Sequence, residues 1–236
     1  MKTIGLIGGT SWVSTLEYYR LLNQEINQRL GGHEAARCIL YSFNRGDIIR
    51  LRQGDPKQSQ VRELLVKTVA ILVGAGAECL VLCANMIHMF AEDIARVSTV
   101  PVIHIAEVTA AEIKKRGFFK VGLLGTRPTM EMEFYHSKLA EAGIQALIPD
   151  KPERRFIERA IFEELDRGIF RPEVKKRFLE IMTGLQKQGA QGIILGCTEI
   201  PLLIRPEDTD LVLFDTLAIH ARAAADFALQ DYQQVS

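Results

Sequence analysis

Residues 76–86 read GAECLVLCANM and residues 189–199 read GAQGIILGCTE. Both begin with Gly-Ala, pass through a short apolar run, and end in a cysteine-bearing turn. They are out of step at the end. From the shared Gly-Ala, Cys197 falls opposite Ala84, and Cys83 falls opposite Gly196. Two further pairs occur in the same order. KTIGLIGGTS (from Lys2) resembles FKVGLLGTRPT (from Phe119), and VPVIHIAE (from Val100) resembles DLVLFDTLA (from Asp210). Three matches displaced by about 110 to 117 positions indicate a chain built twice.

The apolar runs are strand candidates: Thr3–Ile7, Cys38–Phe43, Cys79–Leu82, Val102–Ile105, Lys120–Leu124, Ile193–Leu195 and Leu211–Phe214. They lack in/out alternation, as strands of a parallel sheet buried on both faces do. Amphipathic stretches between them predict helices at Ser14–Leu30, Ser59–Gly74, Glu107–Arg116, Met130–Ala142, Arg154–Asp166, Glu173–Gln188 and Ala218–Leu229. The expected fold is α/β: two similar Rossmann-like or flavodoxin-like domains with parallel sheets, related by a pseudo-two-fold. Residues 1–106 form the first, 107–217 the second, and 218–236 a helix returning to the first. Ligands of such sheets bind beyond the strand carboxyl ends, so the expected site is a cleft between the halves.

Composition narrows the partners. Lys+Arg and Asp+Glu stand at 29 each, a balance that points to neither nucleic acid nor an anionic membrane. No apolar run nears the ~18 residues a membrane helix needs. The N-terminal MKTIGLIGGTS reads as a buried strand rather than a signal peptide. Cys38, Cys79, Cys83 and Cys197 form neither a disulfide framework nor a metal-ligand spacing, so a cytoplasmic protein with reduced thiols and no metal is expected.

Each strand-end turn offers candidates. GGTS, with Thr10 and Ser11, can present N–H groups to a carboxylate; a tight turn with a helix cap is the favoured reading of these residues alone. LGTRPT mirrors it, with hydroxyls on Thr126 and Thr129 and a possible carboxylate clamp in Arg127. Arg45, Arg50 and Arg52 follow the second strand, where one is a candidate clamp for a second carboxylate. Arg154–Arg155 opens a helix, where the dipole disfavours positive charge, which suggests a ligand-facing cation. Asn85 is placed to hydrogen-bond a ligand; His88 and His104 are weaker candidates. GCTE is the strongest signal. Cys197 ends a buried strand after a flexible glycine, where nearby helix N–H groups are expected to stabilise its thiolate, with Thr198 and Glu199 alongside. Cys38 and Cys79 read as small hydrophobes. Cys83, one residue from the cleft-facing position, reads as packing before catalysis.

These segments together, KTIGLIGGTSW, GAECLVLCANMIH, VGLLGTRPTMEMEFY, AIFEEL and GAQGIILGCTEI, resemble the cofactor-independent aspartate/glutamate racemases over nearly the whole length. The resemblance implies two α/β halves, a homodimer, an amino-acid substrate, and neither pyridoxal phosphate nor metal. It implies two thiols, one removing an α-proton and the other returning a proton to the opposite face. The family's first motif, Cys-Asn-Thr followed by one residue and His, is altered here: Ala84 stands for its cysteine and Met86 for its threonine. The second, GCTE with Cys197, is intact. Asn85, Thr126, Thr129 and Thr198 match substrate-contacting positions, and Arg155 and Arg45 fall near basic ones. The expected function is racemisation by thiol-mediated α-proton exchange, slow or one-sided, with water or a displaced Cys83 serving the second face. The alternatives are a one-thiol lyase or isomerase of a small dicarboxylate, and a non-catalytic binder of an acidic amino acid.

Overall fold

The structure is a computed structural model and describes residues 1–53, 55 and 58–232. The chain divides into two compact units, one of Met1–His104 with the chain from His220 onward, the other of Ile105–Ile219. Unit 1 runs β1 (Ile4–Gly8), α1 (Trp12–Leu30), β2 (Cys38–Ser42), α2 (Arg45–Arg52), α3 (Ser59–Gly74), β3 (Cys79–Leu82), a 3₁₀ turn (Met86–Phe90), α4 (Ala91–Val97) and β4 (Val102–Ile103). Its strands are parallel, in the order β2-β1-β3-β4.

Unit 2 repeats the plan with α5 (Ile105–Lys115), β5 (Lys120–Gly125), α6 (Arg127–Glu131), α7 (Glu133–Glu141), β6 (Gln145–Leu147), α8 (Lys151–Glu163), a 3₁₀ turn (Leu165–Arg167), α9 (Pro172–Lys187), β7 (Gly192–Gly196), α10 (Ile200–Leu203), a 3₁₀ turn (Pro206–Asp208) and β8 (Val212–Asp215). Its parallel order, β6-β5-β7-β8, is that of unit 1. The last helix, α11 (Thr216–Leu229), starts in unit 2 and ends in unit 1. Each unit is thus an α/β sheet with helices filling its crossovers. No helix among the described residues is long and apolar enough to cross a membrane.

The central strands are apolar throughout because both faces are covered: every residue of β1, β3 and β7 is buried. β2 departs from the expectation. It is an edge strand, mostly half-buried or exposed, and Cys38 with it. β6, unpredicted, is the matching edge of unit 2. The helix expected over Met130–Ala142 is two helices that meet at Met132, whose backbone is extended at ψ 149°. Side-chain caps fix several starts. Ser11 accepts from the Ser14 N–H, Asn44 from Gly46 at 3.1 Å, and Asp150 from Glu153 at 2.8 Å.

The turn after β1 requires glycine at position 9. Its φ is +83°, and a Cβ there would lie 2.1 Å from the Phe43 carbonyl oxygen and 2.2 Å from the Phe43 nitrogen. Gly9→Ala therefore carries both left-handed strain and a backbone clash. We expect a loss of about 3 kcal/mol or more, a fall in thermal midpoint of roughly 10 °C. An unchanged melt would mean that the turn reshapes at no cost.

Candidate functional site

The strand registers settle which turn residues correspond. In unit 2, Leu195 pairs with Leu124 and Gly196 with Gly125. In unit 1, Leu82 pairs with Ile7, and the Cys83 N–H donates to the Ile7 carbonyl at 2.9 Å. Ile7 and Leu124 hold the same place in IGLIG and VGLLG. Cys83 is thus the counterpart of Gly196, and Ala84 that of Cys197.

Position 196 has no room for a side chain. A Cβ there would lie 2.6 Å from the Leu124 carbonyl oxygen and 3.2 Å from the Thr129 methyl. In unit 1 the corresponding space holds Cys83, fully buried, its sulfur 3.8 Å from the Val81 carbonyl oxygen. Burial pushes the Cys83 thiol far above the usual cysteine range. It is a packing group, and so is Cys79, whose thiol burial pushes up to about 12.

Cys197 sits just past β7 and is 8 % exposed. Its thiol donates to Glu199 Oε2 at 3.0 Å, and the Thr198 hydroxyl donates to the same oxygen at 3.1 Å. The expectation of a stabilised thiolate is overturned. Burial first, then the charges of Glu199 and Asp166, push this thiol well above its ordinary value; a backbone N–H contributes a weaker opposing pull. At rest the site holds a neutral thiol 3.0 Å from a Glu199 side-chain oxygen. Thr126 and Thr129, both buried, pair through their hydroxyls at 3.2 Å. Asp166, in the 3₁₀ turn after α8, was absent from the sequence candidates. EELDRG reads as the end of a helix, and nothing local marks one acid as turned inward.

The basic candidates of unit 2 lie on α6 and α8. Arg127 is about half exposed and pairs with Glu131 and Glu158 at 3.7 and 3.9 Å. Arg154 is not at a helix start, because α8 begins at Lys151. It donates to Glu131 Oε1 at 2.8 Å and to the Pro149 carbonyl at 2.6 Å. Arg155 is exposed on α8.

Unit 1 gathers its own strand-end group. Arg45 Nη1 donates to the Thr10 carbonyl oxygen, and the buried Thr10 hydroxyl has no hydrogen-bond partner among the described residues. Ser11 is the α1 cap. Arg52 Nη1 lies 3.4 Å from the Met86 sulfur. Asn85 is buried, whereas Ala84 and Met86 are half-buried. Arg50 points to solvent and pairs with Asp47. Behind Ala84 lies a histidine cluster. His88 Nδ1 holds the Ala84 carbonyl at 2.9 Å, and the His88 ring packs edge-on against His104 and His220 with centroids 4.9 and 5.4 Å apart. His220 Nε2 meets the Ile103 carbonyl at 2.7 Å and its Nδ1 meets Tyr18 Oη at 2.8 Å. A carbonyl only accepts, so Nε2 of His220 carries a proton; burial pushes this histidine down to about 3, so the ring is neutral and Tyr18 donates to Nδ1. Among the described residues no group of His, Cys, Asp and Glu is arranged to hold a metal ion.

Twin parallel sheets of one strand order define a duplicated α/β chain. The chain belongs to the Asp/Glu/Hydantoin racemase family, whose model matches residues 7–224. It is 45% identical to a Yersinia pestis protein classed with the Asp/Glu racemases, over 98% of this chain and 100% of that one, at a TM-score of 0.90. It is 35% identical to an aspartate racemase homologue from Pyrococcus horikoshii OT3, covering 97% and 99% of the two chains at a TM-score of 0.81. A glutamate racemase from Carnobacterium sp. (strain St2) is 28% identical over 160 residues, 67% of this chain and 58% of that enzyme. The match thus spans little more than half of that relative's length.

Proposed function

We propose that the chain racemises a small α-amino acid by moving its α-proton, with Cys197 as the only protein thiol in the reaction. The observation that carries this reading is the Cys197 thiol donating to Glu199 at a strand end whose unit 1 counterpart is Ala84. For Cys197 to act as a base, its proton passes to Glu199 Oε2, 3.0 Å away, and the thiolate then takes the α-proton. Glu199 becomes the neutral acid, so the net charge is unchanged. Return of a proton from Cys197 restores the starting enantiomer, and Glu199 then gives its proton back to the sulfur; return from water on the other face inverts it, and the hydroxide left behind takes the Glu199 proton. The hydroxyls of Thr126, Thr129 and Thr198 in unit 2 are suited to orienting the substrate. The same reading takes the chain to be a cytoplasmic homodimer that needs no cofactor. The exposed Trp12, Leu16 and Tyr19 along α1 offer an apolar face for a second copy.

The test is incubation of each enantiomer in D2O. Deuterium should enter one enantiomer at Cα at least tenfold faster than inversion occurs. Ala84→Cys supplies a thiol at the altered position and should raise inversion toward the exchange rate. Consumption of substrate without exchange would mark a lyase, and stabilisation by ligand without exchange a binder. Either result would overturn the reading.

A further inference from the structure

We propose that the cavity flanking α2 is a binding site for a free α-amino acid with an apolar side chain, held as a zwitterion by Asp47 and Arg50. The site belongs to unit 1 alone and does not depend on the racemase reading of Cys197.

The cavity measures about 390 Å³, within the range of small-molecule sites, and lies where the end of β2 meets α2 and α3. Tyr41, Phe43, Ile48, Leu51 and Leu64 form its apolar lining. The Tyr41 and Phe43 rings meet edge-on with centroids 5.2 Å apart. Ile48 is buried, and the other four are half-buried. An apolar body seated among them takes that surface out of water.

At the rim stand Asp47 and Arg50, each more than half exposed and paired with the other. A pair this open to solvent contributes little, so a ligand parts it at small cost provided that both charges are matched again. A carboxylic acid satisfies Arg50 and leaves Asp47 stripped of its partner. An amine does the reverse. An α-amino acid carries an ammonium and a carboxylate on one carbon, so it replaces each half of the pair. Its side chain is then free to enter the apolar lining.

Occupancy also bears on the neighbouring turns. Ile48 is the residue that α2 buries, so few apolar contacts hold this helix. The same helix carries Arg45 to the Thr10 carbonyl and Arg52 to the Met86 sulfur. Phe43, in the lining, donates its N–H to the Gly8 carbonyl at 3.0 Å. A ligand seated against α2 therefore steadies the groups that follow β1 and β3.

Calorimetry with phenylalanine, glycine, 3-phenylpropionate and 2-phenylethylamine tests the site. Phenylalanine should bind at least tenfold more tightly than each of the other three. Arg50→Ala, a change at an exposed position, should weaken phenylalanine at least tenfold and bring it level with 2-phenylethylamine. Phenylalanine should also slow amide hydrogen exchange over residues 45–52 in the natural chain and not in Arg50→Ala. The proposal is overturned if phenylalanine does not bind, or if the acid, the amine or glycine binds as tightly. Phenylalanine binding that Arg50→Ala leaves unchanged, or that leaves exchange over residues 45–52 unaltered, would put the amino acid elsewhere on the chain and overturn it equally.

Discussion

Cys197→Ser should lower α-proton exchange by roughly 10²–10⁴-fold, the usual worth of a positioned acid or base, while the chain keeps its fold. The reason lies in proton affinity. A thiol can pass its proton to a carboxylate 3.0 Å away when substrate charge rebalances the site, but a serine hydroxyl holds its proton far more strongly. The loss should fall on kcat, because the sulfur acts on the transition state more than on the bound substrate. Cys83→Ala is the contrasting change. It removes a fully buried packing sulfur, so it should cost stability with kcat little altered. Exchange by Cys197→Ser at the natural rate, or its loss in a folded Cys83→Ala variant, would reverse the assignment of the two cysteines.

The second large effect is acid lability of unit 1. Burial pushes both His88 and His220 down to about 3 from an unfolded value of 6.5, and the neighbouring histidines reinforce the shift. Between those values the unfolded chain binds protons that the folded chain refuses. Stability therefore rises with pH across this window and is lost as pH falls through it. By pH 5 each histidine should cost about 2 kcal/mol, and the pair about 4 kcal/mol. Chemical denaturation at pH 7 and pH 5 measures this directly, and His220→Gln should flatten the slope by about half. An equal midpoint at both pH values would mean that the cluster is solvated in the folded chain.

What could be read from the residues follows from where the structure stores its information. The doubled α/β plan was legible because central strands covered on both faces must be apolar, and β1, β3, β5 and β7 announce themselves as GLIG-like and LVL-like runs. The edge strand β6 was not. Gln145–Leu147 is three residues long, partly exposed, and buries nothing that a periodicity could register. α2 was missed for a related reason: only Ile48 is buried along Arg45–Arg52, and Asn44 capping supplies the start. At the candidate site, the one-residue offset between Cys83 and Cys197 was visible in the strings alone, since glycine spacing fixes strand register. The protonation of Cys197 was not. It depends on Glu199 curling back two residues to accept from the sulfur, and on Asp166 arriving from a turn thirty-one positions earlier.

A sulfur that rests with its proton on is a poor nucleophile toward peroxide and alkylating reagents, since both attack the anion. Burial and the neighbouring acids hold the Cys197 thiol above its ordinary value, so its oxidation and alkylation should be slow in the ligand-free chain.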